Sequence, residues 1–322
     1  MSPGFVTRKV LAALATLVFV VCFNFFLFRV VESDPVANLY RGRNLSQEQR
    51  QELERQFGLD GSRSEQFARY LQQTAQLNLG RSYRSNQPVM EEIWDRAWPT
   101  IALVGVSTLL AAVFGVLIGI AAAWKRRSKT DYGWTGFTMA TYSMPDFWLG
   151  MLLLVSFAVL LGWFPVGGLS DPGSDATGIA KLVDQAHHMF LPALTLTLAY
   201  LGEYALIMRS SLLDTMREDY LTLARAKGLR DVVVRNRHAV PNALLPIVTL
   251  IALSFGFVLS GAIAVETIFS WPGLGLLTYE ALRGPDLPML QGLFLVFSVA
   301  VIFFNLVADL LYAYLDPRVR VS

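Results

Sequence analysis

Apolar residues in this chain gather in long blocks separated by charged connections, a pattern unlike the short alternations of strands or the one-sided stripes of surface helices. A helix needs about 20 mainly apolar residues to cross a hydrocarbon core, where backbone polar groups must be satisfied internally. Six blocks meet that length: residues 10–31, 100–124, 134–161, 191–208, 243–269 and 289–311. The second, fifth and sixth are the clearest, since residues 99–124, 243–265 and 287–308 contain no charged side chain. The first block follows Arg8 and Lys9 as a signal peptide's apolar region would, yet it is longer than the usual run of about 7–15 residues and no A-x-A site follows. It reads as a retained signal-anchor helix.

Residues 32–98 carry nine Lys or Arg and ten Asp or Glu, a mixed surface that reads as a small soluble appendage. Ser46 offers an N-cap for a polar helix over residues 48–55 that Gly58 ends, and a second helix is expected over residues 65–76. So short an appendage buries only a limited core and is expected to lean on the spans or on a neighbouring subunit.

Composition agrees with the blocks: 54% of the chain is apolar and 16% charged, against about 25% charged in soluble proteins. An ordinary soluble protein is excluded. The net charge of +2 is too small to imply nucleic-acid binding, and the single Cys22 closes no intrachain disulfide and reads as a small buried hydrophobe. The distribution of charge says more than its sum. One side of the proposed membrane has Arg8 and Lys9, four basic residues at 125–129, seven at 209–237, and Arg318 and Arg320; the other side's short loops have Lys181 and Arg283 alone. By the positive-inside rule both termini are cytoplasmic and residues 32–98 are external.

The longest cytoplasmic connection, residues 210–242, reads as two short helices around a glycine. Leu221, Ala224 and Ala226 favour helix, Gly228 can end it in a left-handed conformation, Asp231 starts the next, and Pro241 and Pro246 mark the return to the membrane. Small residues at 224, 226 and 228, flanked by Arg225, Lys227 and Arg230, form a docking surface for a cytoplasmic protein better than they form a lipid-facing basic loop.

Fragments along nearly the whole chain then resemble one family. They include Phe57-Gly58-Leu59-Asp60, Leu79-Gly80-Arg81-Ser82-Tyr83, Pro145-Asp146-Phe147-Trp148-Leu149-Gly150, and His188 with Leu191-Pro192-Ala193-Leu194-Thr195-Leu196. They continue with Ala224 to Leu229, Arg237-His238-Ala239, Asn242 to Pro246, Val265-Glu266-Thr267, Trp271-Pro272-Gly273-Leu274-Gly275 and Leu315-Asp316-Pro317-Arg318. In this order and spacing the chain resembles the inner-membrane permease subunits of ABC importers in the dipeptide and oligopeptide group.

That resemblance implies an all-α, six-span protein of the type I importer permease fold in a bacterial inner membrane. It implies a first unit over residues 1–98 and a five-helix core over residues 99–322. It also implies that Ala224, Arg225, Ala226, Lys227, Gly228, Leu229 and Arg230 contact a cytoplasmic ATP-binding subunit. The chain departs from the wider pattern where Thr222-Leu223-Ala224 replaces a glutamate and two alanines, so the glutamate's salt bridge does not transfer. No Gly-Lys pair starts a phosphate loop, and ATP and Mg are expected on one or two separate ABC ATPase subunits, with no cofactor, metal or catalytic residue on this chain. A second homologous permease, an extracytoplasmic peptide-binding protein and membrane lipids complete the implied partners. Peptide is the implied cargo; nickel, glutathione and haem are carried by relatives.

Ionisable residues inside spans point to a cavity or a specific partner. Asp146 and Glu203 fall about 18 Å along their blocks, near mid-membrane, and either line a pathway or hydrogen-bond between helices. Asp146 stands where the family has small or apolar residues. Glu266 joins an outer gate with Trp271 and Gly273, or reaches headgroups. Gly115 and Gly119 favour helix packing over a gate, His187 and His188 anchor a loop rather than ligate a metal, and His238 is structural. Two other classes compete: an intramembrane hydrolase, which lacks a nucleophile and base arrangement, and an ion-coupled carrier using Asp146 and Glu203.

Overall fold

The computed structural model describes residues 3–31, 46–56, 60–258 and 262–315. It is helical, with no strand among the described residues and a single antiparallel bridge between Arg81 and Pro88. Helix α1 (Pro3–Phe25) runs on into π-helical turns over Phe26–Val31. The appendage supplies α2 (Gln47–Gln56) and α3 (Arg63–Ala75). Ser46 and Gln49 cap α2 reciprocally, and Ser62 and Glu65 form a capping box on α3. The Ser62 N–H on the Glu65 carboxylate, and Arg69 on Asp60, hold both carboxyls below their ordinary range. The helix end expected at Gly58, the Phe57-Gly58-Leu59 fragment, and the tail with Arg318 and Arg320 lie outside the described residues.

Among the described residues, four helices are long and apolar enough to cross a membrane: Gly4–Arg29, Val89–Trp124, Gly178–Thr215 and Leu287–Leu311. Two bent pairs bring the number to six where each pair is one span. Helix α4 (Val89–Trp124) begins well before residue 100 and runs through residue 98, where the sequence reading divides the chain. Helix α7 (Gly178–Thr215) likewise extends past the expected block on both sides. At 36 and 38 residues these helices reach about 54–57 Å, beyond the roughly 30 Å of hydrocarbon, so both project from it.

The third block is not one straight span. Helix α5 (Lys129–Ser143) stops at Met144, whose backbone is extended, and α6 (Asp146–Leu153) restarts and continues in π-helical turns to Leu160 at 101° to α5. Pro145 explains the break, because its ring disfavours helical backbone at the preceding residue and it donates no N–H. The fifth block also divides. Helix α9 (Asp231–Ala243) meets α10 (Leu245–Val258) at 44°, and α11 (Ile263–Ile268) is a separate short helix. After it come α8's counterpart at the opposite end, α12 (Leu274–Arg283), and the last span α13 (Leu287–Leu315); α8 itself is Asp219–Ala226.

Helices α4 and α7 make the most extensive pairing in the protein. Glycine permits it: a Cβ at Gly115 would meet Tyr204 Cβ at 2.6 Å and one at Gly119 would meet the Ala205 carbonyl oxygen at 2.6 Å, which is the packing role expected of this pair. Around it lie three buried clusters. One joins Tyr204, Met208 and Leu212 of α7 to Leu221 and Val234; one joins Leu103, Leu196, Phe269 and Trp271; one joins Val89, Ile93, Leu274 and Met289. Helix α1 packs against α13, tied by Lys9 to Asp309 at 2.8 Å, and Cys22 is exposed on it rather than buried.

Candidate functional site

The basic connection after α7 folds as two helices hinged at one glycine. Helix α8 begins at Asp219, whose carboxylate suits the positive end of the helix dipole, and ends at Ala226. Gly228 has φ 79°, a left-handed value that favours glycine, and its N–H and that of Leu229 close the helix end on the carbonyls of Arg225 and Ala224. A Cβ built there meets nothing within 4 Å, so the space beyond Gly228 is open. Helix α9 then starts at Asp231 as expected.

One face of this hairpin belongs to the core of the protein. Leu221, Ala224, Val234, Ala239 and Ala243 are buried with Tyr204, Met208 and Ile247. Arg225 and Arg235 each set their guanidinium carbon 6.0 Å from the ring centroid of Trp124, the last residue of α4. The Tyr220 hydroxyl donates to the His238 carbonyl at 3.3 Å and accepts from Asn242 Nδ2 at 2.9 Å, while Ser211 Oγ donates to the Ala243 carbonyl at 2.9 Å. His238 thus serves the hairpin through its backbone. The other face is open: Leu223, Leu229 and Val232 are exposed among Arg225, Lys227 and Arg230. Ala224 corrects the expectation of a uniform outward surface, because it points into the core while Leu223, passed over in the sequence, points out.

At the opposite end a second short hairpin, α11–α12, contains the most buried carboxyl among the described residues. Glu266 is 0% exposed and does not reach headgroups. Its Oε1 accepts from Thr100 Oγ1 at 2.8 Å and its Oε2 from the Leu276 N–H at 3.0 Å. Thr100 Oγ1 in turn accepts from the Leu274 N–H at 2.7 Å. Glu266 and Thr100 therefore satisfy the free N–H groups at the start of α12. Trp271 Nε1 donates to the Pro99 carbonyl at 3.0 Å, and a Cβ on Gly273 would collide with Thr100 and Glu266. The structure thus brings Glu266, Trp271 and Gly273 into one knot on α4.

Asp146 is not deep within a straight helix. It opens α6 after the break, partly exposed, with Oδ1 accepting from the Phe147 N–H at 2.7 Å. Glu203 sits half-buried on α7, three residues after Tyr200. The strong ion pair lies elsewhere. Arg209 grips Asp131 through Nε at 2.8 Å and Nη2 at 3.0 Å, while Asp131 also accepts from the Arg127 N–H at 2.9 Å and from Thr135 Oγ1 at 3.2 Å. This clamp joins α5 to α7, and sequence reasoning passed over it by counting Arg209 only as loop charge. Its one trace in the sequence is an acidic residue two positions after the basic run at 125–129.

Among the described residues, Asp171, Asp184 and His188 have ligand atoms within 4.8 Å of one another, the one trio spaced for a metal. Each His188 ring nitrogen already faces a carboxylate, Nδ1 to Asp184 at 3.1 Å and Nε2 to Asp171 at 3.6 Å. His187 Nε2 meets the Trp163 carbonyl at 3.0 Å. Both histidines hold the 163–171 loop to α7, in keeping with an anchoring role.

These features define a polytopic α-helical membrane protein with a basic helical hairpin built into its core. Residues 115–321 match the family described as the binding-protein-dependent transport system inner membrane component, and residues 3–104 match its N-terminal companion. The chain is 36% identical to the di/tripeptide transport system permease protein of Pseudomonas aeruginosa and 38% identical to the glutathione transport system permease protein of Salmonella paratyphi A, covering 98% of this chain and 98% and 99% of those relatives. A putative peptide permease protein of Brucella ovis is 36% identical over 98% of both chains. The chain belongs to this family: it is a multi-pass membrane permease component of an ABC importer of the peptide group.

Proposed function

We propose that this chain supplies one half of a peptide translocation pathway and receives its motion from a separate ATP-binding subunit at the α8–α9 hairpin. The reading rests on one observation above all, the two-faced character of that hairpin. Its inner face shares a core with α4, α7 and α10, so a push on α8 moves spans rather than a loose loop. Its outer face offers exposed Leu223, Leu229 and Val232 ringed by basic residues, with open space at Gly228 for a partner's surface. Arg225 to Arg230 form this contact, with Ala224 packed behind them in the core. ATP with Mg binds the partner, whose closure on nucleotide pulls the hairpin and switches the pathway between inward-facing and outward-facing states.

The basic hairpin and both termini lie in the cytoplasm, following the charge asymmetry. The 32–98 segment and the Glu266 knot lie outside, where a binding protein delivers substrate. A second, homologous permease completes the pathway, with Asp146 and Glu203 near Tyr200 as lining groups and Glu266, Trp271 and Gly273 as the rigid part of an outer gate. The names of the relatives favour di- and tripeptides, a class that includes glutathione.

Uptake by the assembled importer in proteoliposomes tests this. ATP-dependent entry of a labelled di- or tripeptide, competed by unlabelled peptide, is expected; transport with the ATP-binding subunits left out would replace the reading with an ion-coupled carrier. For orientation, in a Cys22→Ser background, Asp175→Cys is expected to react with an impermeant reagent from outside and Lys227→Cys only after the cytoplasmic side is opened. The reverse pattern contradicts the topology.

A further inference from the structure

The broken third span runs alongside α7 in steady order, and that order gives Asp146 a depth. Asp131 pairs with Arg209, and Tyr142 packs so closely on Gly202 that a Cβ there would meet Tyr142 Cβ at 2.5 Å. A Cβ on Gly150 would touch Thr195 Cγ2 at 3.3 Å, and the Trp163 carbonyl faces His187 Nε2 at 3.0 Å. Asp146 lies midway between Tyr142 and Gly150, which sets it level with residues 198–199 of α7. Residues 185–208 of α7 hold one Asp, Glu, Lys or Arg, which is Glu203, and cover about 36 Å, so their centre falls at residues 196–197. Asp146 therefore sits within about 3 Å of the middle of the membrane.

A carboxylate at that depth is costly without a cation. Among the described residues no Lys, Arg or His pairs with Asp146. Its Oδ1 accepts from the Phe147 N–H at 2.7 Å, and Oδ2 takes no donor from the described residues. The break at Pro145 adds to the negative character, because α5 ends there and the last carbonyls of a helix carry the negative end of its dipole. Tyr142, Phe147 and Trp148 are exposed on either side of Asp146 in the chain and supply aromatic rings, which attract cations.

Every di- or tripeptide with a free N-terminus brings one positive group whatever its side chains, the α-ammonium. We propose that Asp146 selects cargo by this group, with Oδ2 accepting from the peptide's α-ammonium as it passes the break in the third span. The inference rests on the proposed function, in which the chain is half of a peptide pathway. A discontinuous helix near the midplane is suited to the role, since its free backbone ends and carboxylate stand in for the water that the ammonium leaves behind.

The test measures ATP-dependent uptake by the assembled importer in proteoliposomes, with the binding protein saturated in turn by trialanine and by N-acetyl-trialanine. The wild-type importer is expected to take up the free peptide faster. In Asp146→Asn that ratio falls about ten-fold, the worth of one charge-assisted hydrogen bond, and Asp146→Glu keeps most of it. Selection by the binding protein is common to all three chains and cancels in the comparison, and a loss of folded protein slows both peptides alike. A ratio undiminished in Asp146→Asn, or no preference in the wild type, would overturn the inference and leave the proposed function standing. No ATP-driven uptake of either peptide by the wild type would overturn the proposed function and the inference with it.

Discussion

Two short hairpins, α8–α9 at the basic end and α11–α12 at the other, turn on a glycine and pack against α4, yet they are built for opposite ends. Gly228 is followed by open space, whereas Gly273 is pressed against Thr100 and Glu266. The basic hairpin keeps its charges on the surface and buries alanines and leucines. The opposite hairpin buries the Glu266 carboxyl, which accepts from Thr100 and from the Leu276 N–H. A glycine with nothing beside it leaves room for another molecule, and a glycine with no room left holds a joint closed.

The largest effect is expected from opening the closed joint. Glu266→Ala leaves the N–H of Leu276 and the hydroxyl of Thr100 without their acceptor in a buried site, at about 1–3 kcal/mol for each unsatisfied group. Unfolding temperature and membrane yield should both drop, with Glu266→Gln milder because it retains an acceptor; a neutral Glu266→Ala would show that the knot is not structural. Asp131→Ala comes next. It strands Arg209 in a partly buried position and is expected to cost about 3 kcal/mol, with partial recovery when Arg209→Met is added, measured by a double-mutant cycle in thermal unfolding. Arg235→Gln removes one of two guanidinium contacts on Trp124 and should cost only about 0.5–1 kcal/mol. The appendage yields the smallest change. Glu65 and Asp60 have depressed folded-state values, so their contribution is present above the ordinary carboxylate range near about 4 and is lost as pH falls through the folded values; the protection of α3 amides, relative to the intrinsic exchange rate at each pH, should fall on acidification and hold steady as pH is raised.

The same contrast separates what was legible in the sequence from what was not. Helix α8, the left-handed Gly228 and the start of α9 at Asp231 follow from local chemistry, and hydrophobic blocks of sufficient length located the spans. Straightness was not legible from hydropathy. An apolar average does not register that Pro145 forces Met144 out of the helix, so counting along one axis does not fix the depth of Asp146. Burial of single faces was equally hidden, since Ala224 and Leu223 differ in direction rather than in kind. Long-range pairs such as Asp131 with Arg209, and Glu266 with Thr100, join residues far apart in the chain, and no local spacing announces them. The order and spacing of the family's fragments carried the class of protein because they sample all these regions at once.

The central claim is that force enters through the open face at Gly228. Its most direct test is to replace Gly228 by tryptophan and measure, in the assembled importer, ATP hydrolysis and peptide uptake in the same proteoliposomes. Because no described residue beyond its chain neighbours lies within 4 Å of a Cβ there, the variant should insert and retain its fold apart from about 1 kcal/mol of backbone strain. ATP hydrolysis that continues without uptake, or loss of the ATP-binding subunit on purification, is the predicted result. Normal ATP-driven uptake by that variant would contradict the account.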